Sequence, residues 1–369
     1  MNVPILDLGR TRRRIAPQLD ERWRRILDQS SFILGPEVRE FEEAFAAYLG
    51  VEACVGLANG TDALILALRA LDLRPGDEVI VPAFSFFATA EAVALLGGKV
   101  VFCDVDGETL NLDPEDAAAR VTDRTVGIIG VHLYGRPFDV DALLSLCARR
   151  GLWLLEDAAQ AHGARWQGKR VGGFGQLAAW SFYPTKNLGC FGDGGGATGN
   201  DRALVERVRS FGNHGQTTRY HHTALGTNSR LDSLQAAVLN CRLPLLDEDN
   251  ARRGEIACRY HGALAGVGDL RLLPDPPGAQ SVYHQFTVRT ARRDELMAHL
   301  RERGIASAVH YPSPLHRQPA MAGLVAVRDG DLPVATAAAR EVLCLPVFPE
   351  LANEELAAVA EAVRSFFGA

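Results

Sequence analysis

Short apolar segments alternate with helical segments between about residues 35 and 200, and this alternation constrains the fold more than any other feature. The apolar runs are DEVIVPAF, KVVFCDV, VGIIGVHLYG, GLWLLEDAA and LAAWSFYP, and helical stretches such as residues 63–71 and 140–150 separate them. Continuous apolar strands between helices are typical of a mainly parallel sheet that is covered on both faces. The sequence therefore predicts an α/β fold.

The pattern changes after about Pro244, and a chain of 369 residues exceeds what one hydrophobic core usually organises. We expect a large domain at residues 1–243 and a smaller α+β domain at residues 244–369. The smaller domain is predicted to contain helices at 247–264 and 293–304, strands at 282–288 and 305–312, a turn at DPPG and a final amphipathic helix.

Composition excludes several classes of protein. The chain is 47% hydrophobic and 23% charged with a net charge of −6, which is ordinary for a soluble globular protein and lacks the basic face that nucleic-acid binding requires. No apolar run approaches membrane-spanning length and the N-terminus does not resemble a secretory signal, so we expect a cytoplasmic protein. The seven scattered cysteines are expected to be buried thiols in a reducing compartment: Cys54, Cys103, Cys147, Cys190, Cys241, Cys258 and Cys344.

Two loops at predicted strand ends carry polar groups that could bind a ligand. At Asn59–Asp62 an apolar stretch ends and a helix begins, which offers free backbone amides and the Thr61 hydroxyl to a phosphate. A plain capping turn is the simpler reading of that segment. Glu156 and Asp157 follow a strongly apolar strand, where a buried carboxylate needs a partner, although a surface carboxylate would need none.

Lys186 lies just beyond a third apolar run, LAAWSFYP, with Ser181 and Tyr183 upstream. Most lysines are exposed, but a desolvated lysine loses its proton readily and attacks carbonyl groups. A phosphate site, a strand-end carboxylate and such a lysine together match what pyridoxal 5′-phosphate (PLP) requires: a phosphate anchor, an anion beside its ring nitrogen and an amine for its aldehyde. The sequence therefore predicts a PLP site.

Two further motifs suggest other ligands. Gly194–Gly199 matches GxGxxG, but no apolar strand leads into it and no acidic residue follows at the required distance, so we interpret it as a glycine-rich turn after the lysine loop. His310 and His316, with His221 and His222, lack zinc-type spacing, and we predict substrate contact or packing and no metal site.

Ordered blocks along nearly the whole chain resemble the DegT/StrS sugar aminotransferases, which belong to the aspartate aminotransferase superfamily (PLP fold type I). The blocks are FILGPEVREFEEAFAAYLG, NGTDAL, VPAFSFFATAEAV, EDAAQAHGA, SFYPTKNLG, GDGGGATGND, NSRLDSLQAAVL and HYPSPLHRQPA. The resemblance implies a large domain with a seven-stranded type of sheet and a smaller C-terminal domain.

The resemblance also implies roles for single residues. Lys186 would bond covalently to PLP and act as general acid and base, and Asp157 would pair with the pyridine nitrogen. The other cofactor contacts implied are Gln160 to the ring oxygen, Phe86 on the ring face, and Thr61, Asp62 and Ser181 at the phosphate. Asn228 would reach the cofactor of a neighbouring subunit, which implies a homodimer with shared active sites, and Arg230, His310 and Tyr311 would lie near a nucleotide sugar.

By the same resemblance, the expected reaction transfers an amino group from glutamate to a keto carbon of a UDP- or TDP-linked hexose. The stretch HGQTTRYHHTALGTNSRLD is more similar to members that aminate C3 than C4, and Lys186 argues against the related dehydratases, which carry histidine there. The alternatives are amination of a carbocyclic ketone in antibiotic biosynthesis, a non-catalytic PLP-binding regulator and a nicotinamide-dependent sugar dehydrogenase. The product would enter a surface polysaccharide or a secreted metabolite.

Overall fold

The computed structural model describes residues 2–325 and 329–369. Their α-helices are α1 (Leu8–Gln29), α2 (Pro36–Leu49), α3 (Gly60–Ala70), α4 (Ala88–Leu95), α5 (Pro114–Ala119), α6 (Val140–Arg150), α7 (Arg202–Gly212), α8 (Ser233–Arg242), α9 (Leu246–Leu264), α10 (Arg293–Glu302), α11 (Pro333–Glu341) and α12 (Asn353–Phe367). Their strands are β1 (Ala53–Leu57), β2 (Glu78–Pro82), β3 (Lys99–Cys103), β4 (Thr125–Val131), β5 (Trp153–Asp157), β6 (Arg165–Trp166), β7 (Lys169–Arg170), β8 (Leu177–Ser181), β9 (Gly195–Gly199), β10 (Gln216–Thr218), β11 (His221–His222), β12 (Arg271–Leu272), β13 (Ala279–Gln280), β14 (Phe286–Arg289) and β15 (Val342–Leu345).

A seven-stranded sheet in the order β1-β9-β8-β5-β4-β2-β3 forms the centre of the molecule. The pairs β8–β5, β5–β4, β4–β2 and β2–β3 are parallel, whereas β9 is antiparallel to both of its neighbours. The prediction of a mainly parallel sheet between helices is confirmed. Parallel strands align their carboxyl ends along one edge, and the loops that follow β4, β5 and β8 therefore lie together.

The glycine-rich segment was predicted to be a turn, and that prediction is wrong. Gly195–Gly199 forms β9, which pairs with β1 and β8 inside the sheet. Its glycines permit close backbone approach, since a Cβ atom on Gly195 would lie 2.2 Å from the carbonyl oxygen of Asn59. A strand with so little side chain carries no apolar pattern, so periodicity could not reveal it.

Helices cover both faces of the sheet because their apolar stripes pack against it. On one face, Phe45 of α2 is fully buried, and its ring centroid lies 5.1 Å from that of Trp180 and 5.6 Å from that of Phe182. Residues of α3 and α4 pack into a second core cluster with β2 and β4. Local signals set the helix ends as predicted: Pro36 begins α2, and Gly50 follows its end with a φ of 74°.

A second, three-stranded sheet (β12-β14-β15) packs with α9, α10 and α12 in the C-terminal third. The predicted strand at 305–312 is wrong, because Ile305 bridges Val3 and Ala308 bridges Cys344, two partners that do not continue as one ladder. The strand predicted at 282–288 begins only at Phe286, since Val282 donates to Gly135 instead. The boundary at residues 243 and 244 stays a prediction.

Two other expectations can be compared with the described residues. All seven cysteines are free thiols, and six are buried, but Cys258 on α9 is exposed, contrary to the prediction that all are buried. Position 258 lies on the solvent-facing side of a long helix, which single-residue reasoning could not distinguish from a core position. No helix within residues 2–325 or 329–369 combines the length and apolar character needed to cross a membrane.

Candidate active site

A cavity of about 790 Å³ opens where the carboxyl ends of the parallel strands meet the start of α3 and loops from the C-terminal third. Predicted site residues from several separate segments line it: Thr61, Asp62, Phe86, Asp157, Gln160, Ser181, Lys186, His310 and Tyr311. The fold therefore brings together nine of the eleven side chains that were predicted to form the site.

The start of α3 forms one end of the cavity. The Asn59 side chain caps the helix by accepting the Asp62 amide at 2.8 Å, while the amides of Gly60 and Thr61 have no hydrogen-bond partner in the described residues. A Cβ atom on Gly60 would lie 2.7 Å from that of Ser181, so only glycine lets the two segments meet here. Free amides at the positive end of a helix dipole are suited to a phosphate group.

Asp157 ends β5 and is buried, with 5% of its surface exposed. Its Oδ2 accepts a hydrogen bond from the Thr89 hydroxyl at 2.8 Å, and its Oδ1 accepts the Ala159 amide at 3.2 Å. Burial raises the pKa of this carboxyl, although the hydrogen bond from Thr89 and the charge of Lys186 act in the opposite direction. A buried cation would stabilise the ionised carboxylate.

Glu156 does not line this cavity, so Asp157 is the one of the two acidic residues that could contact a ligand there. Its carboxylate accepts the amides of Gly172, Phe174 and Gly175 at 2.7–2.9 Å and contacts the His132 ring at 3.1 Å. These backbone amides and the imidazole lower the pKa of Glu156 despite its burial. Glu156 therefore anchors the loop before β8.

Lys186 follows β8 and its amine has no hydrogen-bond partner among the described residues. Burial lowers the pKa of the Lys186 amine to about 8, although the Asp157 carboxylate acts in the opposite direction. The two groups thus line one cavity and influence each other electrostatically. The chain contains three lysines, and the other two, Lys99 and Lys169, are exposed.

Gln160 and its neighbours form the wall beside Asp157. Gln160 Oε1 accepts the Tyr134 amide at 2.7 Å, which leaves Nε2 as a donor, and Nε2 lies 3.2 Å from the Tyr311 hydroxyl. The Phe86 ring is 55% exposed, with its centroid 5.9 Å from that of Tyr311. The Tyr134 hydroxyl donates to the His310 carbonyl oxygen and so joins the turn after β4 to the C-terminal third.

Sequence reasoning missed several residues of the site. Thr89 contacts Asp157, and the Ser85 hydroxyl lies 3.1 Å from that of Thr89. Ser85 precedes α4, so no helical spacing in the sequence links these two hydroxyls, and no local signal marked them. His284 and Gln285 also line the cavity, but they lie in a segment that was predicted to be a strand.

Asn228 and Arg230 do not reach this cavity within one chain. Asn228 is exposed beside the β10–β11 hairpin, and Arg230 donates to Asn213 at 3.2 Å and lines a second cavity of about 700 Å³. The role of Asn228 in a neighbouring subunit stays a prediction. Among the described residues, no group of three or more His, Cys, Asp or Glu side chains is arranged to hold a metal ion.

The cavity fits PLP by the chemistry of its groups. It offers unpartnered helix-start amides for a phosphate, a buried carboxylate for a ring nitrogen and an unpartnered amine for an aldehyde. The glycine at position 60 keeps the phosphate end open to backbone contact.

Comparison with known proteins agrees with this chemistry. A model of the DegT/DnrJ/EryC1/StrS aminotransferase family matches residues 14–364. A protein named pleiotropic regulatory protein from Geobacillus stearothermophilus is 46% identical over 369 residues, which cover 100% of this chain and 99% of that protein. The dTDP-3-amino-3,4,6-trideoxy-alpha-D-glucose transaminase of Streptomyces venezuelae is 47% identical over 364 residues, 99% of this chain and 96% of that enzyme.

Solved structures share the whole fold. A crystal structure of S. venezuelae DesV in complex with a ketimine intermediate has a TM-score of 0.97 and 46% identity to this chain, and the match covers 100% of this chain and 99% of that one. The predicted fold class is confirmed: the chain has the α/β architecture of PLP fold type I, with a mainly parallel seven-stranded sheet.

Proposed function

Because the chain belongs to the DegT/DnrJ/EryC1/StrS aminotransferase family, we propose that it transfers an amino group from glutamate to a keto carbon of a nucleotide-linked hexose, with PLP as cofactor. One observation carries the proposal: Lys186, Asp157 and the start of α3 line a single cavity. Each of the three supplies a different group that PLP needs.

The proposed cofactor contacts are those that the family resemblance implies, and the presence of these side chains in one cavity supports them. Thr61, Asp62 and Ser181 hold the phosphate, Asp157 holds the ring nitrogen in its protonated form, Gln160 Nε2 donates to the ring oxygen and Phe86 covers one ring face. Bound PLP supplies an aldehyde and an electron-accepting ring. Gln160 is suited to its role because the Tyr134 amide fixes its side-chain oxygen and turns its nitrogen outward.

Lys186 is the proposed general acid and base. Its amine removes a proton from the α-carbon of the amino donor and later delivers a proton to the carbon that is aminated. Only the neutral amine can accept a proton, and burial lowers its pKa to about 8. A larger neutral fraction of the amine is therefore available at neutral pH than in a solvated lysine.

For the sugar we propose amination at C3 of a UDP- or dTDP-linked 3-keto hexose, with Arg230, His310 and Tyr311 near the nucleotide sugar. The name of the S. venezuelae relative, which specifies a 3-amino sugar linked to dTDP, supports this choice for a chain 47% identical to it. The product would then enter amino-sugar or polysaccharide biosynthesis.

We also propose a homodimer with shared active sites. Asn228 lies outside its own cavity, and exposed apolar side chains occur at Phe32, Ile33, Leu34 and Leu225. In the dimer Asn228 would reach the cofactor phosphate of the partner.

A substrate panel tests the proposal directly. Purified enzyme with PLP and glutamate is given 3-keto and 4-keto sugars linked to UDP and dTDP, and amino-sugar formation is measured by mass spectrometry. We expect a 3-amino product, and the Lys186→Ala variant is the inactive control. Amination of a carbocyclic ketone alone would instead favour the antibiotic-biosynthesis reading.

A regulatory function without catalysis is the second candidate, because one relative of similar identity is named a pleiotropic regulatory protein. The 47% identity to the dTDP-sugar transaminase of S. venezuelae argues for catalysis, whereas a lowered pKa of Lys186 would serve PLP binding in a regulator as well. The half-reaction with glutamate alone separates the two. A regulator would bind PLP without converting it to the amine form.

A further inference from the structure

His284 lines the cavity with Lys186, yet neither the predicted site nor the proposed reaction uses it. The residue is 6% exposed and lies just before β14. Its Nδ1 is 3.2 Å from Oδ1 of Asn187, the residue that follows Lys186. The ring therefore connects the lysine loop to the C-terminal third.

Two backbone carbonyl groups fix which atoms of the neighbouring amides are donors. Asn250 Nδ2 donates to the carbonyl oxygen of His162 at 2.8 Å, so Asn250 Oδ1 is an acceptor. Asn187 Nδ2 donates to Asn250 Oδ1 at 2.8 Å and to the carbonyl oxygen of Val282 at 3.0 Å. The remaining Asn187 atom, Oδ1, must therefore be an acceptor.

This orientation determines the tautomer of His284. Because Asn187 Oδ1 can only accept, the hydrogen between the two residues belongs to Nδ1 of the ring. In a neutral imidazole the other nitrogen, Nε2, then carries a lone pair. No described residue donates a hydrogen bond to Nε2, and this atom is not among the fully buried ones, so Nε2 is an unused acceptor open to the cavity that the ring lines.

The surrounding charges favour the neutral ring and a neutral partner. Burial and the nearby cations Lys186 and Arg253 lower the pKa of His284 well below its usual value. A cationic partner at Nε2 would be repelled by Lys186 and Arg253, whereas a hydroxyl group carries no net charge. Glutamate offers an ammonium group and no hydroxyl, but a hexose offers several hydroxyls.

We propose that Nε2 of His284 accepts a hydrogen bond from a ring hydroxyl of the keto sugar and so helps to position the carbon that is aminated. This inference rests on the proposed function and extends it to a residue that selects hydroxylated substrates. A sugar that lacks this hydroxyl leaves the buried acceptor unpaired, which makes such a contact selective.

Two variants test the roles of the two ring nitrogens separately. His284→Asn keeps a donor near Nδ1 for Asn187 and removes the acceptor, whereas His284→Gln places a polar group near Nε2. The two half-reactions are measured separately in single turnovers, with glutamate and then with the keto sugar. For His284→Asn we expect kcat/KM for the sugar to fall about tenfold more than for glutamate, as loss of one hydrogen bond implies. His284→Gln should retain more of the sugar reaction.

A sugar series and one spectrum complete the test. With a substrate that lacks the contacting hydroxyl, wild type and His284→Asn should react alike. In the ¹⁵N NMR spectrum of the histidine-labelled holoenzyme, the His284 signals should report a neutral ring protonated at Nδ1. Equal losses in both half-reactions, no loss, or protonation at Nε2 would overturn the inference. If wild type aminates no nucleotide sugar, the proposed function fails, and the NMR result still tests the tautomer.

Discussion

Thr89 illustrates how one buried hydroxyl can shift the pKa of a functional group. Its side chain is fully buried and donates to Asp157 Oδ2 at 2.8 Å, and this contact lowers the pKa of a carboxyl that burial raises. Thr89→Val keeps the shape and removes the donor. We expect PLP affinity to fall about tenfold at neutral pH, as loss of a hydrogen bond to a charged group implies, when PLP binding to the apoprotein is titrated.

The pH dependence of the loss of PLP affinity in Thr89→Val shows whether the loss comes from the charge of Asp157 or from altered packing. Without Thr89 the pKa of Asp157 rises further, so the affinity difference should shrink as pH rises and the carboxyl ionises in the variant too. Thr89→Ser, which restores the hydroxyl, should bind PLP as wild type does. A loss of the same size at every pH would indicate packing damage and contradict this role.

The Lys186 amine gives a second prediction at the residue scale. Since burial lowers its pKa to about 8, the neutral fraction that can bond PLP grows as pH rises and is nearly complete above pH 9. The rate of PLP capture by the apoprotein, followed by visible absorption, should therefore rise with a midpoint near pH 8 and then level off. A rate that keeps rising toward pH 10.5 would indicate an ordinary, solvated lysine.

Local chemistry predicted some site residues and could not predict others. Lys186 and the Glu156–Asp157 pair were predicted because each is a polar group at the end of an apolar run, and the family resemblance singled out Asp157. Thr89 and His284 act through partners 68 and 97 residues away in sequence, and no local pattern marks such contacts. Which of Glu156 and Asp157 faces the cavity also depended on the sheet, because successive side chains of a strand point to opposite faces.

At the scale of elements, β9 determines how closely the start of α3 approaches the sheet. A Cβ atom on Gly195 would lie 2.2 Å from the carbonyl oxygen of Asn59, the capping residue of α3. Gly195→Ala should therefore displace the predicted phosphate loop, weaken PLP binding and lower the free energy of unfolding by about 1–3 kcal/mol, as overpacking does. Denaturant unfolding and PLP titration of the variant measure both effects.

Gly254 provides the matched control. It lies inside α9, and an added Cβ atom would meet no other atom within 4 Å, so Gly254→Ala should leave PLP binding unchanged and raise the free energy of unfolding by about 0.5–1 kcal/mol. If Gly195→Ala and Gly254→Ala gave the same PLP affinity and the same free energy of unfolding, the close approach of β9 to Asn59 would not be needed for either property.

Elements with local signals were predictable, and elements defined by pairing were not. Pro36 begins α2 and Gly50 caps its end, and Asp139 and Gly151 cap the two ends of α6. By contrast, β9 consists mainly of small residues, and the segment at 305–312 divides its backbone contacts between Val3 and Cys344. Both depend on tertiary partners that no local window contains.

At the scale of the whole molecule, the proposed dimer places residues of two chains in each site. Lys186 lines the cavity of its own chain, whereas Asn228 lies outside it. Lys186→Ala and Asn228→Ala should each reduce activity in isolation. Mixed and allowed to exchange subunits, they should recover activity, because one site of each hybrid dimer then contains both wild-type residues.

The controls are each variant mixed with itself, and the size of the particle is measured by light scattering. Recovery requires both a dimer and a shared site. A monomer, or a dimer whose mixture stays as inactive as its parts, would contradict the proposed assembly. Sequence resemblance implied this assembly, but one chain alone does not contain the contact.

The central claim is that the Lys186 amine bonds the cofactor, and covalent trapping tests it most directly. The holoenzyme is reduced with borohydride, digested and analysed by mass spectrometry, with three lysines as candidates. The account predicts a phosphopyridoxyl group on Lys186 alone, absent in Lys186→Ala and retained in Lys99→Ala and Lys169→Ala. A label on Lys99 or Lys169, or one that persists without Lys186, would contradict it.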